Sequence, residues 1–470
     1  MAQQKAFGYL PQDRPNPPAL VSLGLQHVLT MFPATVLVAL LTGFDVAVTL
    51  FASGLATFVA ILGSRGRIPM YYGSSFSYIA AVYAVVSAEW GGVQLAQAGI
   101  VVTGILNILV GLIVRAAGKD ILDRILPPIV TGSVAIVIGI SLAKTALDMA
   151  SGMCCLTDAA GAPMASNTWW LVAMVTLVVT ILFSVYLRGR GLLGMLPVLL
   201  GAVVGYAVAL VAGLVDFAPV NEAAWLAAPA FTLPDFANPN LLTAVLAIAP
   251  IAIATIPEST AHLYQISLYI DRLADQLKRP KPGVSRLIGL NLVLDGIGDT
   301  INGLLGGCAG TNYGENNSLM AITRNYSSAV LAAAGVIAML LAFVGKLGAL
   351  VGTLPTAVTG GLAIYLFGVI ALQGVALMMA ERVNLFDPRQ LAIGAAILVV
   401  GIGGSVFEGG MLPVAGMQLP AIAMSAVLGI ALNLIFQAFP VPEQAAEPEG
   451  APEEAPVAAR PVGQTSASGD

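Results

Sequence analysis

Three ionisable side chains stand out because they lie in apolar surroundings, where a charge is costly. Glu258 falls within the stretch Ala249–Tyr264, and His262 follows one helical turn later on the same face. Glu315 ends the run Gly306-Gly-Cys-Ala-Gly-Thr-Asn-Tyr-Gly-Glu315. An ionisable group at membrane depth is by default a functional-site candidate. A carboxyl in such a place can carry a proton as well as accept a hydrogen bond, which makes Glu258 the candidate proton-coupling group. His262 either shares that proton, tunes it, or serves packing, whereas His27 is assigned to structure. No nucleophile–base set or metal-ligand cluster accompanies the carboxylates, so the pattern calls for neither a cofactor nor a metal and excludes an enzyme.

These side chains need an unusual backbone to hold them. Met70-Tyr-Tyr-Gly-Ser-Ser-Phe-Ser-Tyr78, after Pro69, is rich in β-formers and small polar residues, and Gly306–Asn317 is poorer still as a helix. Non-helical backbone at membrane depth survives only where protein or a water-filled cavity satisfies its polar groups. The two stretches are therefore expected as short extended segments meeting at the midplane. Each leads into a half-helix whose free N–H groups and positive dipole end face the cavity. Asn291, Asp295 and Asp299 recur at i, i+4 and i+8, with Asn302 near that face, a polar stripe read as a cradle for the extended segments.

Composition places these features in a membrane. Of 470 residues, 58% are hydrophobic and 10% charged, against about 25% charged in a soluble domain. Fourteen apolar segments follow one another along the chain. With the N-terminus inside, 18 of the 20 basic residues fall on the inner side and only Lys144 and Lys346 outside, an asymmetry that predicts both termini in the cytoplasm. The polar, Pro-rich start carries no signal-peptide pattern, and the Glu-rich, Pro-rich end reads as a disordered cytosolic tail. No basic patch points to nucleic acid. The cysteines form no framework, and Cys154, Cys155 and Cys308 are expected as free thiols.

The chain also repeats itself. Leu126-Pro-Pro-Ile-Val-Thr-Gly-Ser-Val-Ala-Ile136 and Leu354-Pro-Thr-Ala-Val-Thr-Gly-Gly-Leu-Ala-Ile364 match at an offset of 228 residues. His27 and His262 lie 235 apart, and Gly73-Ser-Ser-Phe-Ser-Tyr78 and Gly310-Thr-Asn-Tyr-Gly-Glu315 lie 237 apart. Three ordered pairs at nearly one offset indicate a true repeat. Seven spans per repeat invert the second half, as in alternating-access transporters, with the binding site between the halves.

Gly73-Ser-Ser-Phe76, the Glu258…His262 pair and Asn312-Tyr-Gly-Glu-Asn316 followed by Met320-Ala-Ile-Thr-Arg324 resemble the nucleobase/ascorbate transporter family, in its bacterial uracil permease branch. The resemblance runs from about Leu25 through the fourteenth span. It implies an all-α polytopic bacterial inner-membrane protein of two inverted seven-span repeats, working as a homodimer by proton symport. The implied division is a tail at 1–18, core spans at 19–116, gate spans at 117–215 and an extracytoplasmic loop at 216–240. Core spans at 241–350, gate spans at 351–439 and the acidic tail at 440–470 complete it. The implied nucleobase site comprises Ser75, Phe76, Glu258, Tyr313, Gly314 and Glu315. Phe76 lies on the base, the Phe76 and Gly314 N–H groups reach its carbonyls, and the two carboxylates accept its ring N–H groups. Purine-transporting members tend to carry Gln at the position of Glu315, so uracil is the implied substrate, with a purine (xanthine or urate) permease as the alternative. A non-transporting membrane sensor is the reading from another class, and it would call for a folded output domain that this sequence pattern lacks.

Overall fold

The computed structural model describes residues 8–439 apart from 119, 159–160, 188–192, 195, 408–409 and 415–416. The acidic tail and the first seven residues lie outside the described residues. The first half runs α1 (Pro17–Thr42), α2 (Val46–Gly63), β1 (Tyr72–Ser74), α3 (Ile79–Val86), α4 (Val93–Ala117), α5 (Asp120–Ile125), α6 (Pro128–Ser141), α7 (Ala143–Ser151), α8 (Asn167–Tyr186) and α9 (Pro197–Val211). The short α10 (Ala218–Glu222) precedes α11 (Leu241–Ile248), α12 (Ala252–Leu277), α13 (Ile288–Leu305), β2 (Gly310–Asn312), α14 (Gly314–Thr323), α15 (Ser328–Leu341) and α16 (Gly345–Gly352). The chain ends with α17 (Thr356–Ala380), α18 (Pro388–Gly404), the hairpin β3 (Met411–Val414) and β4 (Met417–Pro420), and α19 (Ala421–Ala438).

Among the described residues, eight helices are long and apolar enough to cross a membrane by length and composition, and four apolar helices are shorter. The chain is a multi-pass membrane protein. Local chemistry sets where helices begin and stop. Asn16 accepts from the Ala19 N–H at 3.0 Å with Pro17 in the first turn, and Asp45 accepts from the Val48 N–H at 2.7 Å. Two expected spans are interrupted. The segment 126–147 breaks at Leu142 between α6 and α7, and Pro250 lies in a 3-10 turn between α11 and α12. Pro257 then removes one backbone donor inside α12, one residue before Glu258. The expectation of free thiols fails at Cys154 and Cys155, which are joined in a disulfide in the turn after α7, while Cys308 is a buried thiol.

The helices pack in two groups. In one, α1, α2, α4, α13 and α15 contact each other; in the other, α6, α7, α8, α9, α17, α18 and α19 do so. The first group carries β1 and β2, which pair across the chain halves.

The segment before α1 is tied down at its polar end. Asp13 accepts from both terminal nitrogens of Arg279, at 2.7 and 2.9 Å, and from the Leu10 N–H at 2.8 Å. Partial burial works to raise the Asp13 pKa, but the Arg279 contacts and the Leu10 amide outweigh it and hold the carboxyl below its ordinary value of 3.8. A depressed folded-state value means that this stabilisation is complete above the unfolded value and fades as pH falls through the folded one. Asp13→Asn should therefore cost about 0.5–1 kcal/mol at neutral pH. The deficit should shrink below about pH 4, as read by thermal unfolding of the purified protein at several pH values. A deficit that stays constant down to pH 3 would show that the ion pair is not its source.

Candidate substrate site

The site is built on a strand pair too short to stand alone. β1 and β2 run antiparallel with Tyr72 opposite Asn312, Gly73 opposite Thr311 and Ser74 opposite Gly310. The ladder continues at both ends, where the Ser75 N–H donates to the Ala309 carbonyl at 3.0 Å and the Tyr313 N–H donates to the Tyr71 carbonyl at 2.8 Å. A Cβ on Gly310 would collide with the Gly73 carbonyl, so the strands approach this closely only with glycine there.

Neighbouring helices satisfy the strands' outer edges. On α2, Ser53 and Thr57 donate to the Tyr72 carbonyl at 2.8 and 3.1 Å. On α13 the polar stripe does what its spacing implies. Asp299 accepts from the Gly310 N–H at 2.7 Å and from Asn107 at 3.1 Å, and Asp295 accepts from the Thr311 hydroxyl at 3.2 Å. Asn291 accepts from the Tyr72 hydroxyl at 3.0 Å and donates to Ser259 at 2.8 Å. Asn302 differs, since its backbone carbonyl receives the Gly306 and Gly307 N–H groups.

Each strand opens into a helix start. Beyond β1, Ser75 accepts from the Ser77 N–H at 3.2 Å and begins a 3-10 turn, Phe76–Tyr78, that continues into α3. Beyond β2, Tyr313 caps α14, which places Gly314 and Glu315 in the first turn, where N–H groups have no intrahelical acceptor. Glu258 meets the first of these, where Ser77 donates to its carboxylate at 3.4 Å, and it lies one helical turn before His262, which packs on the second. Phe76 is half-buried against both principal apolar clusters.

His262 is held from three sides. Its Nδ1 lies 3.0 Å from the Asn312 carbonyl and 2.9 Å from the Asn312 side-chain oxygen, both acceptors, so Nδ1 donates to Asn312. Asn312 is fixed in turn by donating to Ser259 at 2.7 Å, and Asn317 donates to the His262 carbonyl at 3.1 Å. A Cβ on Gly314 would stand 2.7 Å from Nε2, so glycine at 314 is what lets the imidazole pack on the start of α14. His27 is buried and receives the Asn316 amide at 3.0 Å, which fixes α1 to α14.

Of the six residues assigned to the base, Ser75, Phe76, Gly314 and Glu315 lie at these helix starts and Glu258 bonds to Ser77 at the first, with His262 packed on the second. Tyr313 is placed differently, for its side chain is buried, stacks on Tyr71 at 6.1 Å and meets Thr35 at 2.9 Å. Only its backbone borders the helix start. The sequence reading did not single out Ser77, Ser259 or Asn312 as site-forming. Their signal was adjacency alone, since each neighbours a residue already marked.

A cleft of about 960 Å³ separates the two helix groups and reaches Ala80, one turn beyond Phe76. A second, apolar crevice of about 260 Å³ lies between α1 at Pro33 and α9, α16 and α17.

A family model described as a permease family (Xan_ur_permease) matches residues 18–410. The chain is 41% identical over 438 residues to the uracil permease of Bacillus caldolyticus, spanning 93% of this chain and 95% of that protein. The chain belongs to the nucleobase/ascorbate transporter family. It is 37% identical over 428 residues to the uracil permease of Bacillus subtilis, spanning 90% of this chain and 94% of that one. The fold is shared with the transmembrane domain of a cyanobacterial bicarbonate transporter, BicA, at a TM-score of 0.57 and 16% identity, covering 87% of this chain and 97% of that one. The protein is thus a permease and not an enzyme.

Proposed function

We propose that this permease imports uracil in symport with protons across the bacterial inner membrane. The observation that carries the reading is an antiparallel strand pair that opens into two helix starts, one at Phe76 meeting Glu258 through Ser77 and the other carrying Glu315. Uracil presents two N–H donors, two carbonyl acceptors and a flat apolar face. Carboxylates match the donors, first-turn amides match the acceptors, and the phenyl ring matches the face. The names of the relatives support the same base.

The first helix group with the strand pair acts as the core, spans 1–4 and 8–11, and the second as the gate, spans 5–7 and 12–14. Two inverted seven-span repeats, with both termini cytoplasmic, generate this division, and the functional unit is a homodimer. Movement of the core against the gate along the cleft bounded by Ala80 alternates access to the base. Proton entry is assigned to Glu258, with His262 setting its surroundings.

Competition for uptake by uracil, thymine, xanthine and urate in proteoliposomes tests the substrate. Uracil should compete at the lowest concentration, thymine less well because of its methyl group, and the purines weakly. Stronger competition by xanthine or urate would replace this reading with a purine permease.

A further inference from the structure

Away from the strand pair, three arginines converge on one cavity of about 530 Å³ at the polar end of the first helix group. Arg67 comes from the turn after α2, Arg115 from the last turn of α4, and Arg286 from the 3-10 turn that leads into α13. Arg67 is oriented by its Nε, which donates to the Ser64 carbonyl at 3.1 Å and leaves both terminal nitrogens for another partner. Two other basic residues at this end are paired, Arg279 with Asp13 and Lys281 with Asp275. None of the three cavity arginines has a carboxylate partner among the described residues.

Three guanidinium groups around one hollow, without a carboxylate partner among the described residues, form a site for a multidentate oxyanion, and phosphate geometry suits the fork of arginine. The start of the 18-residue α13 lines the same hollow and adds its dipole. The surroundings narrow the choice further. Toward the membrane, α4 exposes Ile105, Leu109, Leu112 and Ile113, a continuous apolar ridge that ends one turn or less before Arg115. An acyl chain can lie on that ridge while its phosphate occupies the arginine hollow. We propose that the Arg67–Arg115–Arg286 cavity binds the phosphate of an anionic phospholipid.

Such a ligand would brace the transport machinery. Arg67 precedes β1 by five residues, and Arg286 leads into the helix whose Asp299 holds β2. One headgroup therefore joins the segments that carry both strands.

The test uses the full-length protein purified in a zwitterionic detergent, followed by thermal unfolding. Dioctanoyl phosphatidylglycerol should raise the midpoint by about 3 °C or more, while dioctanoyl phosphatidylcholine and inorganic phosphate should each raise it by less than about 1 °C. Replacing all three residues (R67Q, R115Q and R286Q) should remove the phosphatidylglycerol increment. A charge-matched control, K278Q with K281Q and R382Q, should keep it. R115Q alone should remove part of the increment, which keeps the test open if the triple variant folds poorly. An equal increment from inorganic phosphate, lost in the triple variant, would support the site and assign it to free phosphate. An increment that persists in R115Q and in the triple variant, or that phosphatidylcholine reproduces, would overturn the proposal.

Discussion

Glu258→Gln should abolish proton-driven accumulation of uracil while leaving exchange of base for base. In proteoliposomes with an imposed gradient, one proton per base converts a difference of one pH unit into about tenfold accumulation, because one unit is worth about 1.4 kcal/mol. The amide holds the shape and hydrogen-bonding capacity of the protonated acid but cannot release a proton. Accumulation should fall to the equilibrium ratio, whereas counterflow of labelled against unlabelled uracil persists and shows that the variant is folded. Geometry favours Glu258 over the other intramembrane acids. Both oxygens of Asp299 are engaged, by the Gly310 N–H and by Asn107, and Asp295 holds the Thr311 hydroxyl, so cycling a proton there would loosen β2 itself. Among the described residues Glu258 has one long hydrogen bond, from Ser77 at the helix start beyond β1, where a proton and a base can influence each other. If E258Q still concentrates uracil against its gradient, the proton travels by another group, with Glu315 next in order.

Much of this site was legible because charge in apolar sequence is conspicuous. Glu258, His262 and Glu315 declared themselves by the cost of their location, and the α13 stripe by a four-residue period that can face only one way. The strand pair was legible through a different physical signal, the concentration of glycine and small polar residues where a helix should continue. Single hydroxyls and amides carry no such mark. Ser259 and Asn312 look like ordinary polar residues until the fold brings α12 against β2, because their role is a three-dimensional junction and not a spacing. Tyr313 shows the converse. It belongs to the conspicuous motif, yet its ring faces away to Tyr71 and Thr35.

Glu315→Gln should weaken uracil binding by about ten- to a hundredfold, the loss of a charge-assisted hydrogen bond of about 1.5–3 kcal/mol. The role proposed for this residue is that of a ligand contact and not of a scaffold. It occupies the second position of α14, its side chain is exposed, and no protein hydrogen bond engages its carboxylate among the described residues. The amide donors of Asn316 and Asn317 are already engaged, by His27 and by the His262 carbonyl, and His262 Nδ1 by Asn312. The substitution should therefore spare folding, which places the whole loss in binding. The amide presents one acceptor and one donor, and it can turn its donor toward a ring nitrogen acceptor that uracil lacks and purines possess. The ratio of xanthine to uracil affinity should accordingly rise in E315Q even as uracil affinity falls. Calorimetric titration of both bases against the parent protein and the variant separates the two effects. An unchanged uracil affinity would remove Glu315 from the binding site, and a parallel loss for both bases would leave it as a contact without a role in choosing between them.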